Sequence, residues 1–118
     1  MKYFALTLCL QDDPKKIEMY KEYHRRVWPE VLEDLRRSGI QTMRIFLRGR
    51  RMFMYIETDD DFDPVEDLRR AGSRSARSRE WNELMATLQE RAPEANPDEW
   101  WARMELVFDT SWPQHQPS

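Results

Sequence analysis

An α+β fold with the element order β-α-β-β-α-β is predicted by three features of this 118-residue chain. The first ten residues alternate in polarity with period two. Residues 15–37 and 75–89 carry apolar side chains at spacings of three and four, and two further alternating segments flank Gly49-Arg50. Period two belongs to strands and period 3.6 to helices, so the places where one gives way to the other set the order of elements. Four short strands and two helices in that order fit a ferredoxin-like sheet with its helices packed on one face.

In the opening segment Phe4, Leu6, Leu8 and Leu10 fall on one side and Tyr3, Ala5, Thr7 and Cys9 on the other, which is a strand with one strongly apolar face. Asp12-Asp13-Pro14 then supplies N-cap candidates and a proline for a first helical turn. Ile17, Tyr20, His24, Val27, Val31, Leu32 and Leu35 continue at helical spacing. Pro29 interrupts them, because a proline inside a helix loses a hydrogen bond and collides with the preceding turn; a kink or break is predicted near Val27–Pro29. Gly39 closes the second part as a C-cap.

Gln41–Arg48 and Arg51–Thr58 read as two strands of a hairpin, and the Gly-first order of Gly49-Arg50 suits a type II′ turn. Residues 59–74 read as loop or short helix. Ser75–Gln89 is helical, with Trp81, Leu84, Met85 and Leu88 on one face. Pro93 and Pro97 bracket a loop, and the alternation of Met104, Leu106 and Phe108 predicts a last strand. A frayed tail is expected from Pro113 on, so residues 1–118 read as one domain with 111–118 as a flexible tail. The sheet face away from the helices also carries apolar residues from several strands, which predicts a homodimer pairing two sheets face to face.

Composition removes several classes of function. Aromatic residues make up 12% of the chain, five of them Trp, more than a disordered chain carries. The charge balance of 19 basic and 22 acidic residues leaves a net charge of −3, so nothing electrostatic points to nucleic acid. No apolar run approaches the length of a membrane span, and the first ten residues lack a signal-peptide pattern. One Cys makes no internal disulfide, and a reducing, cytoplasmic setting is expected. Asp59, Asp61 and Asp63 imitate the start of a calcium loop, but Pro64 stands where the loop needs Gly, and no metal site is expected. Arg69, Arg70, Arg74, Arg77 and Arg79 read as a solvated basic face, and His115 lies in the tail.

The stretch that carries chemistry is Tyr20-Lys21-Glu22-Tyr23-His24-Arg25-Arg26-Val27-Trp28-Pro29-Glu30. Tyr20 and His24 are four apart and share a helix face, and Trp28 continues the series unless the break redirects it. An imidazole titrates near neutrality and exchanges protons; a phenol beside it donates a hydrogen bond; an aromatic wall stacks on the apolar face of a sugar. On spacing alone, a packed histidine on an amphipathic helix is the commoner meaning of such a pair, and a core anchor the commoner meaning of Trp81. Of Trp100 and Trp101, one is expected in the core and the other exposed.

Tyr20-xxx-His24-xxx-Trp28-Pro29-Glu30, the Gly39 turn, the hairpin, Arg79-x-Trp81 and the closing Glu105-Leu106-Val107-Phe108 occur in this order. Together they resemble the L-rhamnose mutarotase family over roughly residues 2–110. The resemblance implies a dimeric α/β-barrel of two ferredoxin-like subunits and exchange of anomers at C1 of a 6-deoxyhexose, without cofactor or metal. It makes His24 the proton donor, Tyr20 a sugar contact, and Trp81 the second of a sugar-contacting Trp pair. Glu80 stands at the first position of that pair, and Met43 where a ligand-contacting Tyr is found. Both, with Trp28, are therefore candidate wall residues of an altered pocket. L-Rhamnose is the substrate implied first, with L-fucose as the alternative. A cofactor-free monooxygenase and a non-catalytic ligand-binding barrel are the readings from other classes on the same scaffold.

Overall fold

A computed structural model describes residues 1–117. Strand β1 (Lys2–Leu10) leads to helices α1 (Pro14–Arg25) and α2 (Pro29–Arg37); the hairpin β2 (Ile40–Arg48) and β3 (Arg51–Thr58) follows. Helices α3 (Glu66–Ala71) and α4 (Ala76–Ala86) come next, then the short strands β4 (Gln89–Glu90) and β5 (Ala102–Arg103) and a 3₁₀ turn at Pro113–His115. The antiparallel sheet runs β2-β3-β1-β4, with β5 also on β1, which is the ferredoxin-like order with the fourth strand position shared by two short pieces. None of the helices described is long and apolar enough to cross a membrane.

The predicted interruption at Pro29 is a full break. Helix α1 starts at Asp13, whose side chain accepts from the Lys15 N–H at 2.9 Å, and stops at Arg25; α2 restarts with Pro29 in its first turn. Gly39, at φ +98°, lets the chain leave α2 for β2, and Gly49, at φ +62° with no positive φ at Arg50, makes the II′ hairpin turn. Leu6, Leu8 and Leu10 of β1 with Met52, Met54 and Ile56 of β3 form the sheet's share of the core, packed under α1, α2 and α4. The outer face is open: Phe46 and Phe53 stack at 5.8 Å and are 55% and 37% exposed.

The last strand departs from the prediction. Only Ala102 and Arg103 pair with β1, and after the Met104 N–H bonds to the Ala5 carbonyl at 2.8 Å the chain leaves the sheet. Met104, Leu106, Val107 and Phe108 are all about half exposed or more. Their alternation finds no buried face. Phe108 instead meets Trp112 and His115 within the segment expected to be a loose tail, and Ser118 lies outside the described residues. The second long helix is also shorter than predicted; Leu88 and Gln89 leave α4, and Gln89 opens β4.

Asp34 fastens α4 to α2. Its Oδ2 accepts from the Ser75 hydroxyl at 2.6 Å and the Ser78 hydroxyl at 2.7 Å, and Ser75 in turn caps α4 through the Ser78 N–H. Those hydroxyls, Ser75 first, hold the Asp34 carboxyl below the ordinary carboxylate value. A depressed value means that the ionised form is favoured by folding. That stability is fully present above the unfolded value and is lost as pH falls through the folded one. Asp34→Asn should therefore lower the thermal midpoint near neutrality and lie closer to wild type in acid, as measured by scanning calorimetry over a pH series. Leu8, fully buried at 0% exposure, should cost ~2–5 kcal/mol as Leu8→Ala in a denaturant titration, with the cavity left behind adding to lost transfer energy.

Candidate active site

Between the inner sheet face and helices α2, α3 and α4 lies a cavity of about 840 Å³. Its walls are mostly apolar: Val27, Val31 and Leu35 from the α1–α2 stretch, Met43, Ile45 and Met54 from the sheet, Leu68 from α3 and Met85 from α4. A small set of polar groups opens into it, among them Tyr20, His24, Gln89 and Asn82. An apolar enclosure with a few placed polar groups is the usual build of a small-molecule site.

Helical spacing brings Tyr20 and His24 together as expected. Their rings stack with centroids 4.0 Å apart, and His24 Nδ1 lies 2.8 Å from the Tyr20 carbonyl oxygen. A carbonyl only accepts, so Nδ1 carries the hydrogen, and in the neutral ring Nε2 is the bare nitrogen. Burial drives the imidazole below its ordinary value, with the bond to the Tyr20 carbonyl opposing, so the ring is neutral at pH 7. Burial also pushes the Tyr20 phenol up to about 12, a hydrogen-bonding interaction with Gln89 opposing it. Desolvation thus sets a neutral base beside a neutral acid.

Trp81, 6% exposed, reaches from α4 to close this corner. Its indole meets His24 edge-on at 5.3 Å, Trp28 at 5.1 Å and Tyr23 at 6.1 Å. Met43, on the inner side of β2, lines the cavity. Trp28 does not: it stands behind Trp81, capped by the Arg77 guanidinium 3.7 Å above its ring. Glu80 also falls outside the cavity; it is exposed and pairs with Arg77 at 2.7 Å. One residue along a helix turns a side chain by about 100°, so a neighbour of inward-facing Trp81 points to solvent.

Two residues at the site carried little signal in the sequence. Gln89 is 7% exposed, and its Oε1 accepts the Trp100 indole N–H at 2.8 Å. Its position at the end of a helical pattern gave it the look of a surface residue, and the turn into β4 is what brings it inward. Trp100 is the exposed member of its pair at 40%, while Trp101 packs into both core clusters, the division expected. Asn82 lies against Gly72: a Cβ there would come within 1.8 Å of the Asn82 amide nitrogen, so any larger residue would push that side chain aside.

Comparison with known proteins follows the same line. The family model described as L-rhamnose mutarotase matches residues 3–110. A UPF0734 protein of Dictyostelium discoideum is 42% identical over 98% of this chain and 94% of its own. The L-fucose mutarotase of Xanthomonas campestris pv. campestris is 33% identical over 94% of this chain and 90% of its own. The crystal structure of an L-rhamnose mutarotase from Formosa agariphila superimposes with a TM-score of 0.65 at 22% identity, covering 92% of this chain and 98% of that one. A tetracenomycin F2 cyclase from Streptomyces glaucescens shares the fold at a TM-score of 0.59 and 17% identity. With a match over nearly all of its length, the chain belongs to the L-rhamnose mutarotase family of carbohydrate isomerases.

Proposed function

We propose that this chain is an aldose mutarotase for a 6-deoxyhexose and that His24 Nε2 takes and returns the proton of the anomeric hydroxyl. The observation that carries this reading is a neutral imidazole in an apolar cavity, with its Nδ1 hydrogen committed to the Tyr20 carbonyl. A pyranose exchanges anomers by opening to the aldehyde and closing on the other face of the carbonyl. Opening removes the O1 proton as the bond from C1 to the ring oxygen breaks. A base with one bare nitrogen, shielded from water, suits that step. Tyr20 and Trp81 form the wall against which the sugar lies, and Met43 shapes it from the sheet side.

L-Fucose is the first sugar to consider. The relative named for it matches over nearly its full length, whereas L-rhamnose mutarotases of Oceanobacillus iheyensis and Bacillus subtilis match over 51% and 52% of this chain. L-Rhamnose is the second reading, favoured by the family model. A second copy of the chain covers the outer sheet face in this proposal, since stacked, exposed Phe46 and Phe53 are costly to leave in water.

Saturation-transfer NMR on the anomers of L-fucose and L-rhamnose tests the reaction directly. Wild type should speed exchange in at least one sugar, and His24→Ala should slow it by ~10²–10⁴-fold. A folded wild type with no effect on either sugar would sink the assignment. Because only the neutral ring accepts a proton, the rate should fall as pH drops, with a midpoint below 6.5, the ordinary histidine value. Wild type should sediment as a dimer, and Phe46→Glu, which buries a charge at the paired face, as a monomer.

A further inference from the structure

Proton exchange at C1 accounts for one edge of a sugar, and the hydroxyls that do not react need partners of their own in a cavity walled by hydrocarbon. Resting on the mutarotase reading, we propose that Gln89 is a substrate-binding residue whose amide N–H donates to one of those hydroxyls. Trp100 is the positioning residue that turns the amide toward it.

The amide has one defined orientation. Gln89 is 7% exposed, and the pairing of β4 with Leu10 of β1 fixes its backbone. Its Oε1 accepts the Trp100 indole N–H at 2.8 Å. An indole N–H only donates, so this bond distinguishes the two ends of the amide: the oxygen lies toward Trp100, and Nε2 with its two N–H groups lies away from it. Among the described residues, neither N–H has a protein acceptor at hydrogen-bonding length, and no side-chain nitrogen sealed from solvent lacks one. Nε2 is therefore open, and the space that Gln89 lines is the cavity it shares with Tyr20 and His24. A ligand that expels water from this cavity must accept from Nε2 or leave a buried donor unpaired.

Trp100 is itself held in place. The Glu99 carboxylate accepts from the Asn96 N–H and the Arg103 N–H, each at 2.9 Å, and Trp101 packs into both core clusters. Its one polar atom is committed to Gln89, so Trp100 offers the cavity only ring surface and a fixed direction for the amide. Arg69, Ser73 and Asn82 also reach the cavity, but they are exposed and water competes for them. Gln89 is the donor that combines burial with a set direction, and such a donor reads the configuration of a hydroxyl. L-Fucose and L-rhamnose differ at C2 and C4, so a donor aimed at either carbon serves one sugar and misses the other.

Steady-state kinetics of anomer exchange provide the test. Gln89→Met, similar in length but without the amide, should raise KM for the preferred sugar about two- to tenfold, the weight of one neutral hydrogen bond. The value of kcat should change little, because contact with an unreacting hydroxyl is made alike in the ground and transition states. The preference between L-fucose and L-rhamnose in kcat/KM should shrink by the same factor. Trp100→Phe keeps an aromatic ring and removes the N–H, which releases the amide and should give a similar rise in KM. The double variant should bind no more weakly than Gln89→Met, whereas two independent wall contacts would give multiplied losses. Trp100 is 40% exposed, so Trp100→Phe spares the core and carries the test if Gln89→Met fails to fold. An unmoved KM, a loss confined to kcat, or multiplied losses in the double variant would overturn the role of this pair while leaving the mutarotase reading intact. A wild type that accelerates neither sugar would remove that reading and the hydroxyl contact with it.

Discussion

The indole of Trp81 is the contact on which the site depends. It comes from α4 and meets three rings of the α1–α2 stretch, those of Tyr23, His24 and Trp28. For one side chain to reach all three, α1 must end and α2 must turn away, and Pro29 supplies that break. The helix that carries Trp81 must also start at a fixed place, and Asp34, reaching from α2 to Ser75 and Ser78, supplies that. Both devices act through α2, one at its first residue and one at Asp34 further along. Edge-to-face packing around the indole then holds the imidazole in one orientation, which a proton-transfer group requires.

The same enclosure sets the chemistry. Taking His24 and Tyr20 out of water penalises the charged form of each, and the two shifts run in opposite directions because one group charges by gaining a proton and the other by losing one. The result is a pair of neutral groups, an acceptor and a donor, in stacked contact. Neither needs an ion pair to reach that state. The apolar wall therefore helps to set the protonation of both groups, and a charged residue introduced into it would disturb both at once.

Much of this was legible in the residues. Period-two alternation located β1, β2 and β3, and the i, i+4 relation placed Tyr20 beside His24, because these patterns follow from backbone geometry alone. The final strand was not legible, since Met104, Leu106 and Phe108 alternate as a strand does yet all stay exposed. Sequence periodicity reports a residue's own element and is silent on whether anything covers it. Glu80 lies outside the cavity because adjacent positions in a motif do not share a helix face: Trp81 enters it while Glu80 pairs with Arg77. Trp28 is turned aside by the break at Pro29. Gln89 was missed because its inward position depends on a turn between two elements, and no period marks such a turn.

Ring opening engages only C1, O1 and the ring oxygen, and these are common to every pyranose. His24 therefore carries no information about which sugar is used. L-Fucose and L-rhamnose differ in the configurations at C2 and C4, so discrimination between them must come from the walls that those hydroxyls face. Around most of this cavity the walls are hydrocarbon, from Met43, Ile45 and Met54 on the sheet to Leu68 and Met85 on the helices. An apolar wall rejects a misdirected hydroxyl because the hydroxyl loses its water and gains no partner, a cost of roughly 1–3 kcal/mol, or about 5- to 150-fold in rate. A polar group has the opposite effect, favouring the epimer that reaches it. Asn82, which lines the cavity beside Gly72, is one such polar group. On the mutarotase reading proposed above, substrate choice would thus be separable from proton transfer, with the sheet and the α3–α4 side of the cavity, rather than the Tyr20–His24 pair, facing the hydroxyls that differ.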